Sequence, residues 1–499
     1  MSIARLLPGV PMLRDALDRV IAPTVLDPIG QSEGDLDWAL ARIKPRIEDV
    51  ALLDGYYNGD HRIGFTATEK WRTQFGKLIK SLNANYCPAV CDALTDRLRL
   101  ADLTILADGD PDEELTEALG QTFKENRFDR RAGMMHALAA RHGEAFLLIW
   151  PHPDTERPAY YPHDAAHMVC RYDPERPLEI DVAAKVWMDG RRCRVTLYYR
   201  DRIERWATRS TYSGIPVNAK GFALYSEDGE PDIFANPYGR VPIVPFLNNT
   251  VDGMSGRSEL IDVIPIQDLL NKSIADMFVS MEFSGFPQRW ATGLAAEEKD
   301  PITGESLYPF VAGVERMFTS DSPDTAFGQF QASDLTQFVA VQDSVRSDIA
   351  RVSRTPIHYL LLSGSFPSGE ALHVADAPLA AKLADRQDEH GGSWEDVALL
   401  TAVVAGAIRP DGLEPYGAEC TWKDTDPAGP QSRATYATAI RADLDSSEAE
   451  AWRTLGWDDE KIEQVRAERD EEGTTAAASP NEEGGGEAGV AAIATGPSE

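Results

Sequence analysis

Apolar residues recur every three or four positions in two stretches of the chain, the spacing that lays one stripe along an α-helix. In the first, Leu260, Ile264, Leu270, Ile274, Phe278 and Met281 predict a helix over residues 258–284. In the second, Leu335, Phe338, Val341, Val345, Ile349 and Val352 predict a helix that Ser333 caps and Thr355-Pro356 ends. Between them, Gly293, Asp300-Pro301 and Gly304 precede an apolar run at residues 307–311, a pattern of short strands joined by turns. A Gly/Pro/Ser segment at residues 363–368 then leads into another helix from Ala371, in which Pro378 predicts a kink and Gly391-Gly392 a break.

Upstream, helical spacing dominates residues 52–138, with an apolar face through Leu78, Leu82, Val90, Leu94 and Leu98. Strand patterns follow at residues 145–150, 180–188, 194–199 and 242–247, separated by Pro, Asp and Gly turns. Helices followed by strands in this arrangement predict an α+β domain. Residues 1–45 carry helical segments and few packing cues and are expected to form a mobile arm. Residues 473–499, rich in Gly, Ala, Ser and Glu without a large aromatic, cannot bury enough apolar surface to fold and are expected to be disordered. The most apolar run, residues 397–408, is about a dozen residues against the ~20 needed to span a bilayer, so it is read as a buried helix and no membrane association is expected.

The order helix, β excursion, helix, Gly/Ser loop, helix resembles the core of a tailed-phage portal protein of the siphophage type. Other motifs resemble the same family. Leu53-Asp54-Gly55-Tyr56-Tyr57-Asn58-Gly59 is similar to the aromatic-Gly motif near portal N-termini, and residues 83–98 to the helix after it. Gly239-Arg240-Val241-Pro242-Ile243-Val244-Pro245-Phe246 is similar to the strand before the first stem helix. Ser368-Gly369-Glu370-Ala371-Leu372 resembles the start of the long helix after the tunnel loop, and residues 422–465 the acidic helical C-terminal region. The likeness spans roughly residues 45–470, and it rests on the order of the motifs rather than on any one of them.

The resemblance implies an α+β portal fold that assembles as a ring, usually of twelve copies. Mapped onto this chain it gives an N-terminal arm (1–45), a wing (46–257), a first stem helix (258–284) and a clip (285–332). A second stem helix (333–357), a tunnel loop (358–370), the long wing helix with a closing strand (371–427), a crown (428–470) and an acidic tail (471–499) complete it. It implies stem packing through Leu270, Ile274, Phe278, Val345 and Ile349, and a DNA-facing tunnel loop at Ser363, Gly364, Ser365, Phe366, Pro367 and Ser368. The partners it implies are further copies of the chain, the terminase large subunit, the major capsid protein or scaffold, a head-tail adaptor, and double-stranded DNA passing through the channel. The place it implies is the portal vertex of a virion assembled in a bacterial cytoplasm.

Charge narrows the alternatives. With 49 basic against 81 acidic residues the formal charge is −32, which excludes tight wrapping of nucleic acid, because such affinity comes from Lys and Arg neutralising phosphates. A wall that repels phosphate within a Debye length of ~8–10 Å suits a conduit through which DNA slides without sticking, although net acidity also simply confers solubility. The 499 residues suffice for about three domains at ~150 residues each. Cys87, Cys91, Cys170, Cys193 and Cys420 are scattered and odd in number, the usage of reduced thiols. Cys87 and Cys91 lack a second Cys or His pair to complete a tetrahedral site and are read as core thiols.

Signatures of catalysis fail one by one, so neither a cofactor nor a metal is expected. Gly364 to Gly369 has the outer glycines of a phosphate loop, but Glu370 and Ala371 stand where Lys and Ser/Thr are required. Asp108, Asp110 and Asp112 alternate as in a calcium loop, yet Glu113 replaces the turn glycine and Leu119 the bidentate Glu. They are read instead as acidic residues favouring the N-terminus of a helix that begins near Glu114. The nine histidines show no HExxH spacing, no Gly-x-Ser-x-Gly motif accompanies them, and His136 and His142 are read as satisfied core or surface residues. Arg346, Arg351 and Arg354, interleaved with Asp343 and Asp348, and Lys382 with Arg386, fit either an ion-pair face or a DNA-facing role. A soluble acidic hydrolase and a monomeric adaptor remain the rivals of the ring at this point.

Overall fold

The computed structural model describes residues 34–61, 84–177, 179–226, 232–250, 253–285, 289–292, 298–299, 306–307, 324–329, 334–360, 369–423, 452, 462 and 465–466. The chain divides into two units, Met1–Lys423 and Asp424–Glu499. In the second, among the described residues, the Arg466 guanidinium lies over the Trp452 ring. The expected tail at 471–499 lies outside the described residues, as does most of the expected crown.

The first unit opens on α1, Asp35–Tyr57, whose Leu36, Ala39, Leu40 and Ile43 are buried. This corrects the expectation of a mobile arm up to residue 45: from Asp35 the chain is a packed helix, and its i, i+3, i+4, i+7 apolar face is the cue. The short helix α2 (Cys87–Thr95) buries Val90 and Leu94. Leu98 just beyond is also buried, while Leu78 and Leu82 of the expected face lie outside the described residues. A strand, β1 (Leu100–Ala107), interrupts the stretch expected to be helical. After the short β2 (Asp110–Pro111), helix α3 (Glu113–Glu125) begins as expected, with the Asp112 carboxylate accepting from the Leu115 N–H. Helix α4 (Phe128–His142) completes the helical half.

Strand β3 (Glu144–Pro151) organises the core. It is buried on both faces, which is why it reads as an unbroken apolar run. The period of two sends Ala145, Leu147 and Ile149 into one cluster with Trp394, Val397 and Ala398, and Phe146 and Leu148 into another with Val50, Met168 and Ile243. It pairs antiparallel with β4 (Pro158–Asp164) and with β11 (Ile243–Leu247). A second antiparallel sheet joins β5 (Met168–Tyr172), β6 (Ile180–Asp189), β7 (Arg192–Tyr198), β8 (Arg202–Thr208), β9 (Phe222–Leu224) and β10 (Ile233–Ala235). Its Val186, Val195 and Leu197 pack on the α1 face. The mixed helix-and-sheet class expected from the sequence is thus what the chain adopts.

Beyond β11 come helix α5 (Ile264–Gly285), two small antiparallel ribbons, helix α6 (Thr336–Ser353), a 3-10 turn (Ile357–Tyr359) and helix α7 (Gly369–Val404). The ribbons pair β12 (Arg289–Thr292) with β15 (Ala326–Gln329), and β13 (Glu298–Lys299) with β14 (Ser306–Leu307). Strand β16 (Tyr416–Trp422) returns to pair with β1. Helix α6 starts at Thr336, where the Asp334 carboxylate accepts from the Thr336 N–H, and the expected cap Ser333 lies outside the described residues. One expectation needs correction here. Helix α7 runs unbroken through Gly391-Gly392. There the buried His390 and Trp394 and the Gly391 approach to Trp422 hold the backbone, and tertiary packing outweighs a propensity penalty of about 1 kcal/mol per glycine. No helix among the described residues is long and apolar enough to cross a membrane.

The segment entering α5 is fixed by close backbone approach. Gly143 ends α4 at φ 88°, and its carbonyl accepts from the Asn248 N–H at 2.8 Å. A Cβ on Gly256 would stand 1.9 Å from that same carbonyl oxygen, so only glycine passes. Two residues on, the Ser258 hydroxyl donates to the Arg141 carbonyl at 2.5 Å and the Glu259 N–H to the Ala140 carbonyl at 2.9 Å. These satisfy the last open carbonyls of α4 and place Glu259 where the next layer needs it.

Buried imidazoles give this fold a pH dependence. His136 donates from Nδ1 to the Leu98 carbonyl (3.2 Å) and accepts the Trp394 indole N–H at Nε2 (2.9 Å), with the His390 ring stacked on it. Burial holds His136 well below the ordinary histidine range and pushes His390 down to about 4, the charge of Arg386 adding to the latter. His163 is pushed to about 4 by the same cause. Unfolded histidines take protons near pH 6.5 while these folded ones do not, so stability is full above ~6.5 and falls as the pH drops toward ~4. Thermal unfolding between pH 7 and 4 should show this slope, and His390→Gln should flatten part of it. A flat wild-type profile would contradict the assignment.

Candidate functional site

Helices α5 and α6 lie side by side. Leu270, Val345 and Ile349 are buried together with Leu260, Val263, Ala350 and Leu360, and the cluster continues into Leu53, Tyr56, Val90, Cys87 and Cys91. Ile274 packs half-buried against it, and Phe278 is half-buried. Met281, Val341 and Val352 of the expected stripes are exposed in the single subunit. The inward positions are taken instead by polar side chains: Gln267, Asp268 and Ser273 on α5, and Gln342 and Ser353 on α6 are buried. Buried polar groups at these positions require partners: residues just before α2 supply those of Gln267, and the aromatic-Gly motif supplies that of Asp268.

That motif forms the end of α1 and the turn after it. Tyr56 donates its hydroxyl hydrogen to the Asp268 carboxylate at 2.8 Å. Tyr57 donates to Asp92 at 2.8 Å while the Arg141 guanidinium lies 3.9 Å above its ring, and burial together with Asp92 pushes the phenol up to about 12. Asp54 accepts from Arg141 (3.0 Å) and from His142 Nε2 (2.8 Å), so among the described residues only one ring nitrogen of His142 is satisfied, a partial departure from the expected satisfied residue. The turn itself needs Gly59 at φ 84°. Just before α2, the Tyr86 N–H donates to Gln267 Oε1 (3.0 Å), Gln267 Nε2 donates to the Ala84 carbonyl (2.8 Å), and the Ala84 N–H donates to Asn271 Oδ1 (3.1 Å). His61 accepts from Asn271 at Nδ1 and faces the Tyr56 carbonyl and Asn85 Oδ1 with Nε2, an arrangement that suits the neutral ring; burial lowers its pKa. Helix α6 joins through the Arg346 Nε–H donated to the Tyr86 hydroxyl at 2.9 Å.

Of the cations left open by the sequence, Lys382, Arg386, Arg346 and Arg351 are held in ion pairs, and Arg354 ends α6 in the left-handed conformation. Lys382 Nζ sits 2.5 Å from Glu259 Oε2 and donates to the Ser353 carbonyl at 3.0 Å. Arg386 reaches Glu259 (3.5 Å), Glu389 (3.0 Å) and Asn248 Oδ1 (2.9 Å), and Asn248 Nδ2 donates to Glu259 Oε1 at 3.0 Å. All of Lys382, Arg386 and Glu259 are nearly fully buried. One carboxylate ahead of α5, one carbonyl at the end of α6 and two cations of α7 therefore form a single knot. On α6, Arg346 pairs with Asp343 at 2.6 Å and Arg351 with Asp348 at 3.0 Å.

Ser363, Gly364, Ser365, Phe366, Pro367 and Ser368 lie outside the described residues. Before them, Arg97 Nη2 donates to the Tyr359 hydroxyl (2.9 Å), and after them the same nitrogen donates to Asp376 Oδ2 (3.1 Å). The strand, turn and ribbon pieces between α5 and α6 occupy part of the segment expected to be the clip. All five cysteines are free, and burial raises the pKa of Cys87 to about 12 and that of Cys91 well above the thiol range. Among the described residues no cluster of His, Cys, Asp and Glu could hold a metal ion.

Sequence reasoning did not single out Glu259, Asn248, Gln267, Asp268, Arg97 or Asp376. Gln267 and Asp268 carried a usable signal, since two adjacent polar residues inside an apolar helical stripe demand buried partners. What the arrangement does is mechanical: three helices are pinned to one another and to the α1–α2 layer by directional bonds.

A family model described as phage portal protein, SPP1 Gp6-like, matches residues 36–475. The portal protein of Mycobacterium phage D29 is 26% identical over 466 residues, covering 87% of this chain and 91% of that protein. The portal protein of Mycobacterium phage L5 is 24% identical over 440 residues, covering 83% and 86%. Among solved structures, a chain in the neck of an empty gene transfer agent particle aligns with a TM-score of 0.46 at 14% identity, covering 82% of this chain and 94% of that one. A chain of the native particle's neck gives 0.45 at 12% identity with the same coverage.

Proposed function

The chain belongs to the SPP1 Gp6-like family of phage portal proteins, and from that premise we propose that copies of it close into a ring at one capsid vertex, with α5 and α6 as the stem around the channel. Its role is that of a phage portal protein. The observation that carries the ring reading is apolar surface. Val339, Val341 and Val352 on α6 are 49%, 49% and 48% exposed and Leu269 and Met281 on α5 are 49% and 46% exposed, although the inner side of each helix is well packed, and Val374 on α7 is 71% exposed. Such a concentration on paired helices calls for a covering surface. In a heterologous ring each copy offers one flank to the next, and rotation closes the series.

In this reading the ribbons between α5 and α6 belong to a clip that docks the terminase large subunit during packaging and a head-tail adaptor afterwards. Major capsid protein or scaffold surrounds the wing, and residues 363–368 line the tunnel for double-stranded DNA. The role is guidance and retention of DNA, with nucleotide hydrolysis supplied by the terminase.

Native mass spectrometry tests the ring. A species near twelve times 54.8 kDa is expected, and a protein that stays at 54.8 kDa at every concentration contradicts it. Replacing Phe366-Pro367-Ser368 with a short Gly linker is expected to spare assembly and terminase binding but to impair packaging or DNA retention. Wild-type packaging and retention in assembled mutant particles would remove residues 363–368 from the tunnel.

A further inference from the structure

We propose that Arg97 is a positioning residue that holds together the two chain segments entering and leaving residues 361–368, and so sets how the tunnel-facing segment is presented; the functional half of this rests on the portal reading above. Arg97 lies just past α2, far from this region in sequence. Its Nη2 carries two hydrogens and spends one on each side: the Tyr359 hydroxyl at 2.9 Å ahead of the segment, and Asp376 Oδ2 at 3.1 Å beyond it. The Arg97 and Asp376 side chains are nearly buried, and a guanidinium fork bound at two points fixes direction as well as distance. Asp376 Oδ1 faces His358 Nε2 at 3.6 Å, so the residues on either side of the segment meet in one small knot.

What makes this hold consequential is the helix it acts on. Further along α7, Lys382 is bonded to the Ser353 carbonyl and Glu259, which immobilises the helix from that point on. Between the two ties stands Pro378, which lacks an N–H and so leaves the Val374 carbonyl without its helical donor. The first two turns of α7 are therefore joined to the remainder through a weakened link. Beside them is a cleft of about 500 Å3, with Ala350, Pro356 and Ile357 on one wall and Ala375 and Pro378 on the other. With Arg97 in place these turns stay fixed; without it there is room for them to shift.

The test uses full-length assembled rings carrying Arg97→Met, with Tyr359→Phe and Asp376→Asn each removing one of the two bonds at nearly constant volume. Hydrogen exchange over residues 370–377 is expected to quicken about tenfold in Arg97→Met and by less in the single-bond variants, while exchange over residues 383–404 stays at the wild-type rate. A merely structural role would raise exchange in both stretches together. Unchanged exchange over 370–377 in assembled Arg97→Met rings overturns the proposal, and if that variant does not fold, unchanged exchange in both Tyr359→Phe and Asp376→Asn overturns it equally. DNA retention is measured on the same particles. Selective loosening with lower retention supports the whole proposal, whereas selective loosening with wild-type retention overturns the assignment of 363–368 to the tunnel and leaves the hold of Arg97 intact.

Discussion

Glu259→Leu is expected to destabilise the chain by about 3–5 kcal/mol, because it strands cations that cannot reach water. Lys382 sits 2.5 Å from this carboxylate and Arg386 3.5 Å from it, each nearly fully buried. Arg386 keeps Glu389 and Asn248, so its loss is partial. Among the described residues Lys382 keeps only the Ser353 carbonyl, a neutral acceptor that does not offset the desolvation of an ammonium. Two further variants isolate the cause. Glu259→Gln retains an acceptor for Asn248 without the charge and should fall in between. Glu259→Leu with Lys382→Met removes both ions and should recover much of the loss, since replacing a buried pair by apolar groups is often close to neutral. Equilibrium denaturant unfolding reads all three, and a loss under about 1 kcal/mol in Glu259→Leu would show that water reaches Lys382.

The same knot shows where sequence stops being legible. Lys382 and Arg386, four apart on a helix, look alike whether they face solvent, phosphate or a buried acid, and their partner Glu259 lies in a distant segment that only tertiary folding brings near. Several elements were readable: β3 from its apolar run, α2 from Val90 and Leu94, and the start of α3 from the acidic Asp108, Asp110 and Asp112 ahead of it. Strands β1 and β16 were not, because Leu103 and Ile105 are the only buried residues of β1 and no residue of β16 is fully buried. Local rules failed where packing outweighed them, as when α7 continued through Gly391-Gly392 against Trp422. The two helical stripes were read as single apolar faces, yet within the subunit Val345 and Ile349 are buried while Val341 and Val352 are exposed. Single-sequence periodicity cannot tell a flank that buries in its own subunit from one that waits for another.

That distinction yields the second large effect. Ile349→Asp is expected to cost on the order of several kcal/mol, since it places an unpaired charge in the cluster shared by α5, α6 and α2. Val345→Asp should behave alike, its side chain being buried in the same cluster. Both should lower the unfolding midpoint of the isolated subunit and, through it, abolish rings. Val352→Asp lies on the same helix but starts from an exposed side chain, so its effect on the isolated subunit should stay within about 0.5 kcal/mol. On the ring reading, however, a carboxylate there meets the apolar flank of the next copy and must be desolvated on closure. Val352→Asp is therefore expected to fold normally and fail to assemble, while Ile349→Asp fails at both. Unfolding curves paired with native mass separate the two. Rings of normal size from Val352→Asp would place the interface elsewhere on the subunit, and rings from Ile349→Asp would show that the helix pair is not the packed stem proposed for it.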